Sequence, residues 1–134
     1  MLKIFILAGG LGTRLSEIIS DVPKPMAPVE NLPFLEYQIR LIEKSISDYQ
    51  IVLLTRYKSE IIEQYYGSND KIKIIKEDSP LGTGGSIKNA MMILKHEIDE
   101  PYECLFLECQ SVESILFHTQ LGFLCWLSIL ENSN

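Results

Sequence analysis

The sequence predicts an α/β domain built on a mostly parallel sheet with helices on both faces. Three observations carry that expectation. Short apolar runs alternate with longer segments whose apolar residues recur every three or four positions, the periods of strands and of amphipathic helices. The first run, Leu2 to Ala8, is almost continuously apolar, as in a strand buried on both faces. The strand–helix order then repeats along the chain, and such repetition folds into parallel strands joined by helical crossovers.

The elements follow in order. Leu2 to Ala8 is the first strand and ends at Gly9-Gly10. Pro33 opens a helix, because proline is preorganised for a first helical turn; Leu35, Ile39, Ile42 and Ile46 then form one apolar stripe. Tyr49 to Thr55 reads as the second strand, and Lys58 to Tyr66 as a helix with Gly67 placed to end it. Lys71 to Lys76 is the third strand. Thr83 to Lys95 is a helix with Ile87, Ala90, Met91 and Leu94 on one side, and Tyr102 to Leu107 is the fourth strand.

A chain of 134 residues is about one domain long. Its 46% hydrophobic and 22% charged content is ordinary for a globular protein. A net charge of −6 leaves no basic surplus for a nucleic-acid partner, though a few local donors suffice for one mononucleotide. Cys104, Cys109 and Cys125, even with His96 and His118 nearby, match no zinc spacing, and the cysteines are expected as buried or incidental thiols. The apolar stretch after Lys3 is too short for a signal peptide and runs straight into glycines. No apolar run reaches the ~18 residues of a membrane span, so no membrane partner is expected and the cytoplasm is the default location.

Three segments carry chemistry. In Leu7-Ala8-Gly9-Gly10-Leu11-Gly12-Thr13-Arg14 the glycines follow a strand at the carboxyl end of a parallel sheet, where open α/β folds bind ligands. Gly9, Gly10 and Gly12 permit positive φ and close approach, so successive amides can point at phosphate oxygens, and Arg14 adds a planar fork of charged donors. The alternative is a glycine-rich turn with a surface arginine. A dinucleotide fingerprint fails, because Leu15 stands where its last glycine belongs and Thr55-Arg56 provides no acid for a ribose; a GxxxxGK loop is also missing.

Val22-Pro23-Lys24-Pro25-Met26-Ala27-Pro28-Val29 has three prolines in six positions, a stiff loop that aims Lys24. Alone, Lys24 reads as a surface lysine; beside an anion loop, it reads as a contact for an α-phosphate. Glu77-Asp78-Ser79-Pro80-Leu81-Gly82-Thr83-Gly84-Gly85 follows the third strand and begins a helix that Thr83 is able to cap. Its glycines let a ligand lie against the backbone. Glu77 can accept two hydrogen bonds from the N1–H and N2–H edge of guanine. A solvated turn glutamate is the alternative.

LAGGLGTRL, PKPMAPV, PFLEYQI and EDSPLGTGGSIKNA occur here in one order. Together they resemble the sugar-phosphate nucleotidyltransferases, which transfer NMP from an NTP to a sugar 1-phosphate with release of pyrophosphate. The wording is most similar to the heptose 1-phosphate guanylyltransferases among them. The resemblance covers Leu2 to Leu107 and implies a Rossmann-like fold with the nucleotide at Leu7, Ala8, Gly9, Gly10, Gly12, Thr13 and Arg14. It implies Arg14 and Lys24 as catalytic phosphate ligands, Glu77 and Gly82 (with Thr83 beside it) near the base, GTP and a sugar 1-phosphate as partners, and Mg²⁺ as cofactor. The chemistry is consistent with these residue types. A sugar phosphate with a second pKa near ~6 is already anionic at neutral pH, so the reaction needs alignment and charge neutralisation rather than a general base.

The resemblance breaks after the fourth strand. Where the family places an aspartate for Mg²⁺, this chain reads Glu108-Cys109-Gln110, with the neutral amide of Gln110 at that position. All twelve Lys and Arg lie at or before Lys95, and 17 of the 31 residues from Cys104 onward are hydrophobic. Residues 1–107 are therefore expected to form the nucleotide-binding part. Residues 108–134 are expected to be a divergent apolar tail produced by a frameshift or truncation, with no protein ligand for the metal.

Overall fold

The computed structural model describes residues 1–9, 21–96 and 103–109. Strand β1 (Leu2–Leu7) is followed by a 3-10 turn over Lys24–Met26, by short strands β2 (Pro28–Val29) and β3 (Leu32–Pro33), and by helix α1 (Phe34–Ser45). Then come β4 (Tyr49–Thr55), α2 (Ser59–Tyr66), β5 (Ile72–Lys76), α3 (Gly82–Lys95) and β6 (Glu103–Glu108). Each of the four long strands and three helices expected from the sequence is present with ends shifted by a residue at most.

The long strands form one sheet in the order β5–β4–β1–β6, with every neighbouring pair parallel. The chain steps from β1 outward to β4 and β5, then returns to the far side of β1 as β6. That reversal makes the junction of β1 and β6 the switch point of a doubly wound Rossmann-like sheet, the place where such sheets open a crevice at their carboxyl ends. The register aligns Leu7 with Leu54 on one side and with Glu108 on the other.

Alternation along the strands divides the core in two. Ile4, Ile6, Ile51 and Leu53 pack with Leu35, Ile39 and Ile42 of α1 and with Ile62 and Tyr66 of α2. Phe5, Val52, Leu54 and Ile75 pack on the opposite face with Ala90 and Leu94 of α3. Phe5 and Phe106 stack across β1 and β6 with centroids 5.1 Å apart. The stripe on α1 forms as expected, except that Ile46 lies just past the helix in extended backbone while still packing on the core. On α3 the inward side is Ser86, Ala90 and Leu94, with Ile87 only half-buried.

Two local expectations need correction. The proline-rich stretch is not purely loop, because Pro28–Val29 and Leu32–Pro33 pair antiparallel around Glu30 and Asn31, both at positive φ (49° and 70°). Positive φ at both central residues is the geometry of a tight primed hairpin turn. Gly67 does end α2, but in right-handed backbone, its N–H closing on the Glu63 carbonyl at 2.8 Å. A side chain at Gly67 would collide with that carbonyl, which is why glycine belongs there without a left-handed cap.

Candidate functional site

The carboxyl ends of β1 and β5 bring Leu7–Gly9 and Glu77 to one edge of the sheet. Past β1, the Ala8 N–H donates to the Leu54 carbonyl (2.8 Å), and the Cys109 N–H donates to the Leu7 carbonyl (3.2 Å). Leu7 and Ala8 therefore leave the sheet tied to β4 on one side and to the end of β6 on the other. Gly9 does not use positive φ; among the described glycines only Gly82 does. What Gly9 provides is a close approach to β4: a Cβ there would lie 3.4 Å from the Arg56 Cβ and 3.5 Å from the Arg56 backbone nitrogen. Gly10, Gly12, Thr13 and Arg14 lie outside the described residues, as does Gln110.

Lys24 begins the 3-10 turn. Pro23 sits before it in extended backbone and Pro25 follows inside the turn, while Met26 and Ala27 hydrogen-bond back to Pro23 and Lys24 at 2.9 and 3.1 Å. Pro25 and Met26 are buried and anchor the turn, leaving Lys24 half-buried. Its ammonium acts on Cys109 at the end of β6: burial pushes the Cys109 thiol up to about 12, and the Lys24 charge opposes that rise. Met26, two residues on, packs in the same core cluster as Ala8 and Cys109, so the turn that carries Lys24 is anchored beside the ends of β1 and β6. Cys104 and Cys109 are buried free thiols, as expected, and Cys125 lies outside the described residues.

Glu77 follows β5 directly, and its N–H continues the ladder to the Thr55 carbonyl at 2.8 Å. That bond holds the residue against the sheet, so Glu77 is only 7% exposed, and its Oε1 has no hydrogen-bond partner. A solvated turn glutamate is excluded by this burial. A buried carboxylate oxygen without a partner calls for an explanation, and one is an acceptor left open for a donor. Next to it, Thr55 and Ser59 share a buried hydroxyl–hydroxyl bond of 2.7 Å, and Ser59 donates to Glu63 (2.9 Å), so the polar groups at the end of β4 are internally satisfied.

The loop to α3 differs from its expected form in one respect. Thr83 does not cap the helix: α3 starts at Gly82, Leu81 occupies the cap position, and no side-chain cap bond forms. The reason is the backbone of Gly82, whose φ of +70° turns the chain one residue earlier and places Thr83 inside the first turn, exposed. Gly82 and Gly84 have open space where a side chain would stand, whereas a Cβ at Gly85 would press on Leu81 at 3.0 Å. The first two leave room for a ligand, and the third is needed for packing.

A model of the nucleotidyl transferase family matches residues 3–113. The chain belongs to that family. The match reaches beyond Leu107 and takes in Gln110. Among relatives in the family, the D-glycero-alpha-D-manno-heptose 1-phosphate guanylyltransferase of Campylobacter jejuni is 43% identical over 99 residues, 72% of this chain and 44% of its own length. The enzyme of the same name from Aneurinibacillus thermoaerophilus is 47% identical over 92 residues, 66% of this chain and 40% of its own. The crystal structure of HddC from Yersinia pseudotuberculosis, complexed with GMP-PN, superposes with a TM-score of 0.62 at 30% identity, covering 90% of this chain and 55% of that one. The chain therefore spans about half the length of the family members it matches.

Among the described residues, no group of three His, Cys, Asp or Glu side chains could hold a metal ion. Among the described residues, the carboxylate at the end of β6 is the exposed Glu108. Mg²⁺ does not require such a cluster, because it is usually held by one or two carboxylates together with substrate phosphates and water. No helix among the described residues is long and apolar enough to cross a membrane.

Proposed function

We propose that this chain is the nucleotide-binding part of a nucleotidyltransferase that moves GMP from GTP to a sugar 1-phosphate, heptose 1-phosphate first among candidates, with release of pyrophosphate. The observation that carries the reading is Glu77, a buried carboxylate with an unpartnered oxygen beside an open glycine turn. Guanine presents two adjacent donors, N1–H and N2–H, that would satisfy both carboxylate oxygens. The guanylyltransferase names of the relatives and the guanine nucleotide of the HddC structure support the same base.

In this reading the triphosphate lies along the carboxyl edge, from the base at Glu77 to the loop Leu7–Arg14. The loop amides and Arg14 hold phosphate oxygens, and Lys24 approaches from the switch point to neutralise charge gathering on the α-phosphorus. The sugar phosphate attacks as an oxyanion, so positioning and charge stabilisation carry the reaction. Magnesium, where it enters, comes with the triphosphate rather than from a carboxylate cluster of the described residues, and the cytoplasm, where GTP is made, is the compartment we assign.

A second reading is a nucleotide-binding module without turnover, favoured by Gln110 at the position of the metal aspartate. Calorimetry with GTP, beside a pyrophosphate-release assay with GTP and heptose 1-phosphate, separates the two. Binding with release supports transfer; binding without release leaves the module; and no heat with any NTP refutes both.

A further inference from the structure

We infer that Arg56 is an additional phosphate contact, gripping the nucleotide from the β4 side of the glycine loop. The inference rests on the nucleotide site proposed above. In the sequence, Arg56 stood out only as the wrong residue for a ribose acid; its place in the fold gives it a different meaning.

Leu7 and Leu54 are aligned in the β1–β4 register, and both pack on the α3 face of the sheet. Gly9 and Arg56 each come two residues later, at the ends of these strands, and the backbone and Cβ of Arg56 lie within contact distance of where a Gly9 side chain would stand. With no side chain at Gly9, the Arg56 stem borders bare loop backbone. On its other flank is Glu77, whose N–H is bonded to Thr55, the residue before Arg56. Arg56 thus occupies the strand end between the carboxylate assigned to the base and the loop assigned to the phosphates. A nucleotide that reaches from Glu77 to Gly9 passes beside it.

The chemistry of Arg56 matches that place. It is half-buried, and no described residue offers its guanidinium a hydrogen bond or ion pair, whereas Arg40, the other described arginine, is bonded to Glu36 at 2.9 Å. A guanidinium is always charged and presents paired donors that match phosphate oxygens. Held at the rim of the proposed binding edge without a partner among the described residues, it is poised for an anionic one.

The test is calorimetry of the whole chain and its R56M and R56K variants with GTP, GMP and guanosine, alongside thermal melts. Methionine keeps the apolar stem, so the melt should not move. R56M should weaken GTP roughly 10–100-fold, the scale of a lost charge-assisted hydrogen bond, and guanosine hardly at all. R56K should recover part of the loss, because it restores charge without the fork. GTP affinity unchanged in R56M overturns the inference, as does an equal loss for GTP and guanosine, which would mark Arg56 as a base-stacking residue. If the unaltered chain takes up no GTP, the proposed site itself fails, and the Arg56 assignment falls with it.

Discussion

Glu77→Gln is the perturbation that most directly probes the site, because it keeps the size of a buried side chain while changing what its oxygens can accept. In the free protein Oε1 of Glu77 is buried without a partner. An unsatisfied buried polar group costs about 1–3 kcal/mol, and a charged one costs more. Guanine binding would recover that cost by donating N1–H and N2–H to the two oxygens. In the glutamine variant one oxygen becomes an amide NH₂ that opposes a guanine donor. The loss of a hydrogen bond to a charged group, about 1.5–3 kcal/mol, corresponds to roughly 10–100-fold in GTP affinity. Adenine offers an acceptor beside a donor, which an amide can match, so the variant should shift toward ATP. Folding stability should hold or rise by about 1 kcal/mol, since burying an amide is less costly than burying a carboxylate. Calorimetry with GTP and ATP, together with urea denaturation, reads all three quantities. An unchanged GTP affinity in the variant, or equal affinity of the original chain for GTP and ATP, would refute the role given to Glu77.

Three further outcomes are expected. Arg14→Ala should weaken triphosphate binding by about 1.5–3 kcal/mol in the same calorimetric assay; an unchanged affinity would remove Arg14 from the phosphate ligands. Leu53→Ala, in a strand centre where Leu53 is fully buried against α1 and α2, should lower stability by about 2–5 kcal/mol, seen as a lower urea midpoint with the slope unchanged. The buried thiols predict a loss of stability in alkali. Burial raises Cys104 to about 11 and Cys109 to about 12 from an ordinary 9.0, so the unfolded chain releases these protons first. Their contribution is fully present below about pH 9 and is lost as pH rises through the folded values, with a slope of at most about 1.4 kcal/mol per pH unit for each thiol. Urea midpoints measured at about pH 8 and pH 10 should fall less in C104A/C109A than in the original chain, and an equal fall would show that other groups govern the alkaline limb.

Most of the fold was legible in the chain because its signals are local. Leu2 to Leu7 and Tyr49 to Thr55 are apolar runs that can only be doubly covered strands, and the α1 stripe has the helical period. The β2–β3 hairpin was not legible: two-residue strands have no period to read, and Glu30-Asn31 lacks the glycine that usually marks such a turn. Thr83 does not cap α3 because residue preference at a helix start is weaker than a left-handed glycine one position earlier.

By itself, the sequence determined the family, the glycine loops and the identities of Arg14, Lys24 and Glu77, since glycine spacing, prolines and charge are properties of neighbours along the chain. Only the tertiary structure decided that Glu77 is buried with an unpartnered oxygen, that the turn carrying Lys24 packs through Met26 beside Ala8 and Cys109, and that Arg56 lies against Gly9. Each of those facts depends on strand order and register, which join residues tens of positions apart. Parallel pairing is set by the crossover helices and the two-faced core, and no local pattern in the chain encodes which strand ends will meet.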